Sequence, residues 1–327
     1  MRKFPTALLA VAAASALALT GCGTTEAAED ASESPAPAGA GISIEDVRGE
    51  VIELDGPATT VVALEWNIAE SLVSLGVMPS GVADVTNYAS YVKTAPLDDT
   101  VTDVGGRGEP SIDAIAGLAP DLVIADNNMS DSAIAQIEEI APVFVVRPAD
   151  TADNIGQMEL NLTNIAEMTG TEDEATTLLE DLDTRIADAA AELEAAGLAG
   201  ESFALSDSYA YNGEITIRPY VAGSLLSDIT EEIGLVNAWD VDGGADYGLG
   251  SVDVEALTAL PDDVNYLTLG SDAGDIYTNE LATNAIWTSL PFVVSGNVYP
   301  LESGIWTFGG PASMTTYIDA VVDALTA

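Results

Sequence analysis

"DNIGQMELNLTNIAEMTGTEDEATTLLEDLDTRIADAAAELEAAG", residues 153–197, runs for 45 residues without a strand-like segment. It reads as two long helical stretches, 153–169 and 172–197, separated by Thr169-Gly170-Thr171. The chain on either side has another character. Upstream, "TTVVAL" (59–64), "SGVADV" (80–85), "DLVIAD" (121–126) and "VFVVR" (143–147) read as strands. Between them Ile68, Leu72, Leu75 and Val77 recur at helical spacing until Gly76 ends the helix. "SIDAIAGLAP" opens on Ser111 as N-cap with Asp113 in its first turn, and "DSAIAQIEEIA" follows. Strands alternating with helices imply a parallel α/β sheet. After Gly200 the alternation resumes with "SFALSD", "EITIRP", the helix "LLSDITEEIGL", "NYLTLG" and "GNVYPL", and the helix "TTYIDAVVDAL" closes the chain. The 45-residue stretch therefore divides an N-terminal lobe, 42–150, from a C-terminal lobe, 171–327, with 151–170 as the connecting helix.

A weak internal repeat supports two related lobes. "SIDAIAGLAPDLVIA" (111–125) aligns without gaps to "DVEALTALPDDVNYL" (253–267), each with an N-cap residue, a first-turn acid (Asp113, Glu255) and apolar positions leading into a strand. "SLVSLGV" (71–77) is echoed by "DITEEIGL" (228–235). The echoes keep their order on opposite sides of the helical stretch.

The first 41 residues stand outside both lobes. Met1, Arg2 and Lys3 precede the apolar, Ala-rich run "FPTALLAVAAASALALT", too short for a confident membrane span. The run ends at Leu19-Thr20-Gly21-Cys22, which resembles a bacterial lipoprotein signal (1–21) whose cysteine, the only one in the chain, is acylated. "GTTEAAEDASESPAPAGAG" (23–41) reads as a flexible tether that begins at Cys22.

Charge and absences exclude much. Eight Lys and Arg face 54 Asp and Glu, and Arg2 and Lys3 belong to the signal, so six cations remain beyond it. A chain this acidic is a poor partner for nucleic acid or an anionic membrane surface. With no His and one Cys, disulfides, the usual zinc sites, haem ligation by His and Ser-His-Asp or Cys-His nucleophiles all fall away.

Against that background "DVGGRGEP" (103–110) is notable, because it sets one of the few cations, Arg107, between glycines after a strand. Such an arginine is either a local partner of Glu109 or a group displayed towards a ligand. Arg218 in "TIRPY" is a second cation after a strand, directed to a cleft or to a neighbouring Asp. Trp66 ends the first strand, where α/β proteins gather ligands. Trp239 and Tyr247 lie in a Gly-rich loop, and Trp306 and Phe308 in "GIWTFGGP" precede the last helix.

Four stretches carry a family resemblance: "VVALEWNIAESLVSLGVMPSGVADVTNY" (61–88), "VGGRGEPSIDAIAGLAPDLVIA" (104–125), "GLVNAWDVDGGADYGLGSVDVEAL" (234–257) and "IWTSLPFVVSGNVYPLESGIWTFGGPASM" (286–314). Through them the chain resembles the substrate-binding lipoproteins of bacterial iron-siderophore ABC importers, most of all the ferric-hydroxamate-binding ones. The resemblance implies two α/β lobes with mainly parallel sheets, joined by a long interlobe helix around a shallow cleft. It implies that Arg107 meets the hydroxamate oxygens and that Trp66, Trp239, Tyr247, Trp306 and Phe308 line the pocket. Asp113 and Glu255 match the acids that dock each lobe on arginines of the permease. The expected protein is a monomer, held outside the membrane by its lipid, with no enzymatic activity and no cofactor, its iron held only through the siderophore. Two departures stand out: Phe308 replaces a frequent Tyr, and "DNNMS" (126–130) lacks the usual aromatic, leaving Asn127 or Asn128 to hydrogen-bond instead.

Rival readings are a carboxylate-based hydrolase, for which no specific motif speaks, and other cargoes: cobalamin, haem, a bare metal or a catecholate siderophore. A bare transition metal wants His. A ferric tris-catecholate carries about three negative charges and suits six cations poorly. A ferric tris-hydroxamate centre is formally neutral, and linear complexes bearing an amine are cationic.

Overall fold

A computed structural model describes residues 41–270 and 275–327. The signal, Cys22 and all of the tether but Gly41 lie outside the described residues. No helix among the described residues is long and apolar enough to cross a membrane.

After an antiparallel hairpin, β1 (Ile42–Glu45) and β2 (Val51–Leu54), the first lobe alternates strictly. It runs β3 (Val61–Ala63), α1 (Trp66–Ser74), β4 (Gly81–Val82), α2 (Val85–Tyr91), β5 (Thr102–Asp103), α3 (Ile112–Leu118), β6 (Leu122–Asp126), α4 (Asp131–Glu138) and β7 (Val143–Val146). Its sheet has the order β5-β4-β3-β6-β7, and every pair is parallel. The strands read as unbroken apolar runs because both faces are covered. Val61, Ala63, Leu122, Ile124, Phe144 and Val146 pack on one face with α1. Their neighbours Val62, Val123, Ala125, Val143 and Val145 pack on the other with α3 and α4.

Two helices follow, α5 (Asn154–Thr169) and α6 (Glu172–Ala195). Gly170 separates them at φ 70°, and a Cβ there would come within 2.9 Å of Pro57 Cγ, so both backbone and space call for glycine. Met158 near the start of α5 lies in the second lobe's core, whereas Leu162, Ile165, Ala166 and Met168 lie in the first lobe's. α6 makes the return journey: Ala175, with Leu178 and Leu179 against it, belongs to the first core, and Leu182, Ala189 and Leu193 belong to the second. The junction is thus a helix hairpin threaded through both cores. Along α6 the chain passes from the first core to the second between Leu179 and Leu182.

The second lobe contains β8 (Ser202–Tyr211), β9 (Glu214–Pro219), α7 (Leu225–Glu232), β10 (Val236–Asn237), β11 (Asn265–Leu269), α8 (Pro291–Ser295), β12 (Val298–Leu301) and α9 (Pro311–Thr326). Its parallel order is β10-β8-β11-β12, and β9 pairs antiparallel with the outer half of β8. That hairpin turns at Asn212-Gly213, both at positive φ (51° and 86°), as a tight hairpin turn requires. The two sheets share one plan, with β4-β3-β6-β7 answering to β10-β8-β11-β12. Both sequence echoes occupy equivalent places. One is the cap and turn entering β6 and β11; the other is the helix entering β4 and β10.

Candidate functional site

The C-terminal ends of the parallel strands in both lobes converge on a cleft of about 720 Å³. Glu65 and Trp66 leave β3, Asp84 leaves β4, Arg107 sits between β5 and α3, and Asp126 and Asn128 end β6. From the second lobe come Arg218 at the end of β9, Tyr247 after β10, and Trp306 and Phe308 after β12.

Arg107 is held by three elements. Gly105 at φ 98° bends the chain where a Cβ would press to 3.0 Å from Ser111 N, and Glu109 N–H donates to Gly106 O at 3.1 Å to close the loop. The guanidinium lies over the Trp66 ring, 3.9 Å from its centroid, and 5.4 Å from that of Trp306. Its Nη1 donates to Glu65 Oε1 at 2.8 Å. The ion-pair partner is therefore Glu65, not the Glu109 that sequence proximity offered. Burial raises the Glu65 pKa above the usual carboxylate range, and the Arg107 charge and the Trp66 N–H pull it part of the way back.

Trp66 is 3 % exposed, and its indole N–H donates to Ala83 O at 3.0 Å, which fixes the plate on which Arg107 rests. Rings then continue from lobe to lobe. Tyr91 stacks on Trp66 with centroids 5.6 Å apart, Trp66 meets Trp306 edge-on at 4.8 Å, Trp306 meets Phe308 at 5.2 Å, and Phe308 meets Tyr247 at 5.0 Å. Asn128 Nδ2 donates to Tyr247 Oη at 2.8 Å across the cleft and to Asp126 Oδ2 at 2.9 Å. Two buried polar atoms of lining residues, Asn67 Oδ1 and Trp306 Nε1, make no hydrogen bond among the described residues.

Arg218 satisfies both readings given for it: it lines the cleft and forms a bidentate pair with Asp207. Burial works against its charge, but the Asp207 carboxylate prevails and raises the Arg218 pKa. Tyr220 Oη donates to the same carboxylate at 3.0 Å.

Trp239 does not belong with the other rings. Its indole N–H donates to Leu205 O at 2.9 Å and its ring packs edge-on against Tyr266, so it closes the second lobe's core instead of lining the cleft. Asp113 and Glu255 lie outside the cleft lining. Each is exposed in the first turn after a capping side chain, Ser111 Oγ accepting from Ala114 N and Asp253 Oδ1 from Ala256 N. Tyr91, Glu65, Asp84 and Asp126 line the cleft although the sequence reading named none of them. Glu65, Asp84 and Asp126 shared a signal of position, since each follows or ends a strand at the carboxyl edge of the sheet, whereas Tyr91 ends helix α2 and had no such signal. Among the described residues no group of three or more His, Cys, Asp or Glu side chains is gathered as a metal cage requires.

Residues 61–304, more than half of the chain, match the periplasmic binding protein family, and the chain belongs to it. It is 27% identical over 328 residues to the Fe(3+)-citrate-binding protein YfmC of Bacillus subtilis (strain 168), covering 97% of this chain and 96% of that protein. It is 26% identical over 265 residues to the iron(3+)-hydroxamate-binding protein FhuD of Escherichia coli (strain K12), covering 81% and 86%. Among solved structures, the Fe3+-Desferal-bound siderophore binding protein FhuD from Vibrio cholerae superposes with a TM-score of 0.72 at 24% identity, over 82% of this chain and 98% of that one. At that identity the likeness is one of fold.

Proposed function

We propose that this chain is an extracytoplasmic binding protein that captures ferric siderophores, hydroxamates before other types, and delivers them to the permease of an ABC importer. The observation that carries the reading is the Arg107 guanidinium lying on Trp66 inside a wall of Tyr91, Trp306, Phe308 and Tyr247. A ferric hydroxamate has polar oxygens around its iron and an organic shell outside. An Arg fork suits the former and aromatic faces suit the latter. The iron is held by the siderophore's own oxygens, and the protein contributes recognition without a catalytic step. Asp84 and Asp126 on the same wall make it a poor host for polyanions, which weighs against catecholate cargo, and against citrate despite the likeness to YfmC. Asp113 and Glu255 are the docking acids in this reading, one on each lobe, and acylated Cys22 is the anchor.

Tryptophan-fluorescence titration tests the reading, with Trp66 and Trp306 as reporters in the cleft. Ferrichrome and ferrioxamine B are expected to bind more tightly than ferric dicitrate or a ferric tris-catecholate. A clear preference for the catecholate overturns the hydroxamate assignment.

A further inference from the structure

We infer that Glu65 and Asp207 are specificity-determining residues that set which net charge of cargo the cleft accepts, an inference that rests on the siderophore-binding reading. Each lobe contributes one arginine to the cleft lining, and each arginine is already matched by one carboxylate of its own lobe. The arginine side chains of Arg107 and Arg218 remain 36% and 37% exposed, whereas those of Glu65 and Asp207 are 14% and 19% exposed. The arginine side chains are therefore the more accessible members of the pairs, and the carboxylate side chains the more covered ones. Both carboxylates are held from within the protein, Glu65 by the Trp66 backbone N–H at 2.9 Å and Asp207 by Tyr220 Oη at 3.0 Å.

The consequence is a cleft with guanidinium donors but without their net charge. Such donors still bond the oxygens of a neutral or cationic chelate. An anionic chelate meets each donor together with a carboxylate and gains little net attraction, while losing its water. Were either carboxylate neutral, its arginine would present a full positive charge, and the same fork would favour anions. Glu65 and Asp207 thus act by exclusion, as selective sites often do.

The test uses Glu65→Gln and, as an independent variant in the other lobe, Asp207→Asn. Each is titrated with ferric dicitrate (anionic), ferrichrome (neutral) and ferrioxamine B (cationic). Each variant is expected to move the ratio of dicitrate to ferrioxamine B affinity by roughly tenfold in favour of dicitrate, with the neutral complex between them, as removal of one nearby charge in a partly buried site predicts. A merely structural role lowers all three affinities together. A common fall, or an unchanged ratio of dicitrate to ferrioxamine B affinity in both variants, overturns the inference while leaving the siderophore reading in place. A wild-type protein that prefers ferric dicitrate to both hydroxamate complexes overturns both.

Discussion

Glu70 of α1 caps the helix to which Ser313 belongs, in the other lobe. Its Oε1 accepts from the backbone N–H groups of Gly310 (3.1 Å) and Ser313 (2.9 Å), and its Oε2 accepts from Ser313 Oγ (2.9 Å). The N-cap residue of α9 is Gly310, which has no side chain to offer the first turn, so a carboxylate from across the seam takes that part. Thr94 Oγ1 lies 3.3 Å from the same Ser313 hydroxyl, and Lys93 N–H donates to Gly304 O at 2.9 Å, extending the seam along the loop that carries Trp306.

Burial raises the Glu70 pKa to about 7, against the three hydrogen bonds that favour its charge. Its contribution to stability is therefore fully present below the ordinary value of 4.5. As pH rises from there through about 7, the unfolded chain releases a proton that the folded chain retains, and stability falls by roughly 3 kcal/mol from this group. Glu70→Gln keeps acceptors for both N–H groups and is expected to flatten the pH profile of stability between about pH 5 and 7.5. Glu70→Ala leaves them unpaired and is expected to lose about 1–3 kcal/mol at low pH, a deficit that shrinks as pH rises towards 7 because the variant lacks the Glu70 titration. Denaturant unfolding at four pH values reads both effects, and equal slopes for wild type and Glu70→Gln contradict the assignment.

Arg107→Ala is expected to weaken ferric hydroxamate binding by about 1.5–3 kcal/mol, a factor of roughly ten to a hundred, as loss of a charge-assisted bond predicts. Arg107→Lys keeps the charge but not the planar fork, and is expected to recover only part of the loss. Equal binding by wild type and both variants counts against a contact with ligand oxygens.

Trp239→Phe separates core from cleft. The ring still packs on Tyr266, and Leu205 O still accepts from Tyr220 N–H, so the expected loss is about 1 kcal/mol of stability with ligand affinity intact. A selective fall in affinity without a change in stability returns Trp239 to the binding site.

The helix hairpin of α5 and α6 and the Glu70 seam tie the lobes at separate points, so empty and loaded crystal structures are expected to differ by only a small rotation between lobes. A hinge closure as large as that of binding proteins with flexible linkers refutes this.

On the proposed anchor at Cys22, Cys22→Ala is expected to lower the amount of protein in the membrane fraction, because two acyl chains on one residue suffice for stable anchoring. Unchanged membrane retention removes the lipid from the description.

The alternating architecture was legible because runs such as Val61 to Leu64 and Val143 to Val146 are covered on both faces and so stay apolar throughout. The pairing of β8 with β9 was not read from the sequence, although Asn212-Gly213 carries the signal of a tight hairpin turn. Tyr91 was not legible. It shares a seven-residue helix with Tyr88, which is fully buried with its hydroxyl on Ala95 O, and only tertiary contacts show that Tyr91 faces the cleft while Tyr88 faces the core. Trp239 shows the opposite error. A loop after a strand can turn its ring either way, and a single bond to Leu205 O decided the direction. Nor does local sequence show that Arg107 pairs with a residue 42 positions earlier.

The doubled junction has a consequence for traffic. If the outer faces of the lobes barely move, an empty molecule and a full one look alike to anything that docks on those faces. Recognition of the carrier then cannot also certify its load, and an unloaded copy occupies the docking platform as well as a loaded one. Uptake by such a system slows when empty carriers are in excess, and the check for cargo falls to whatever reaches into the cleft after docking.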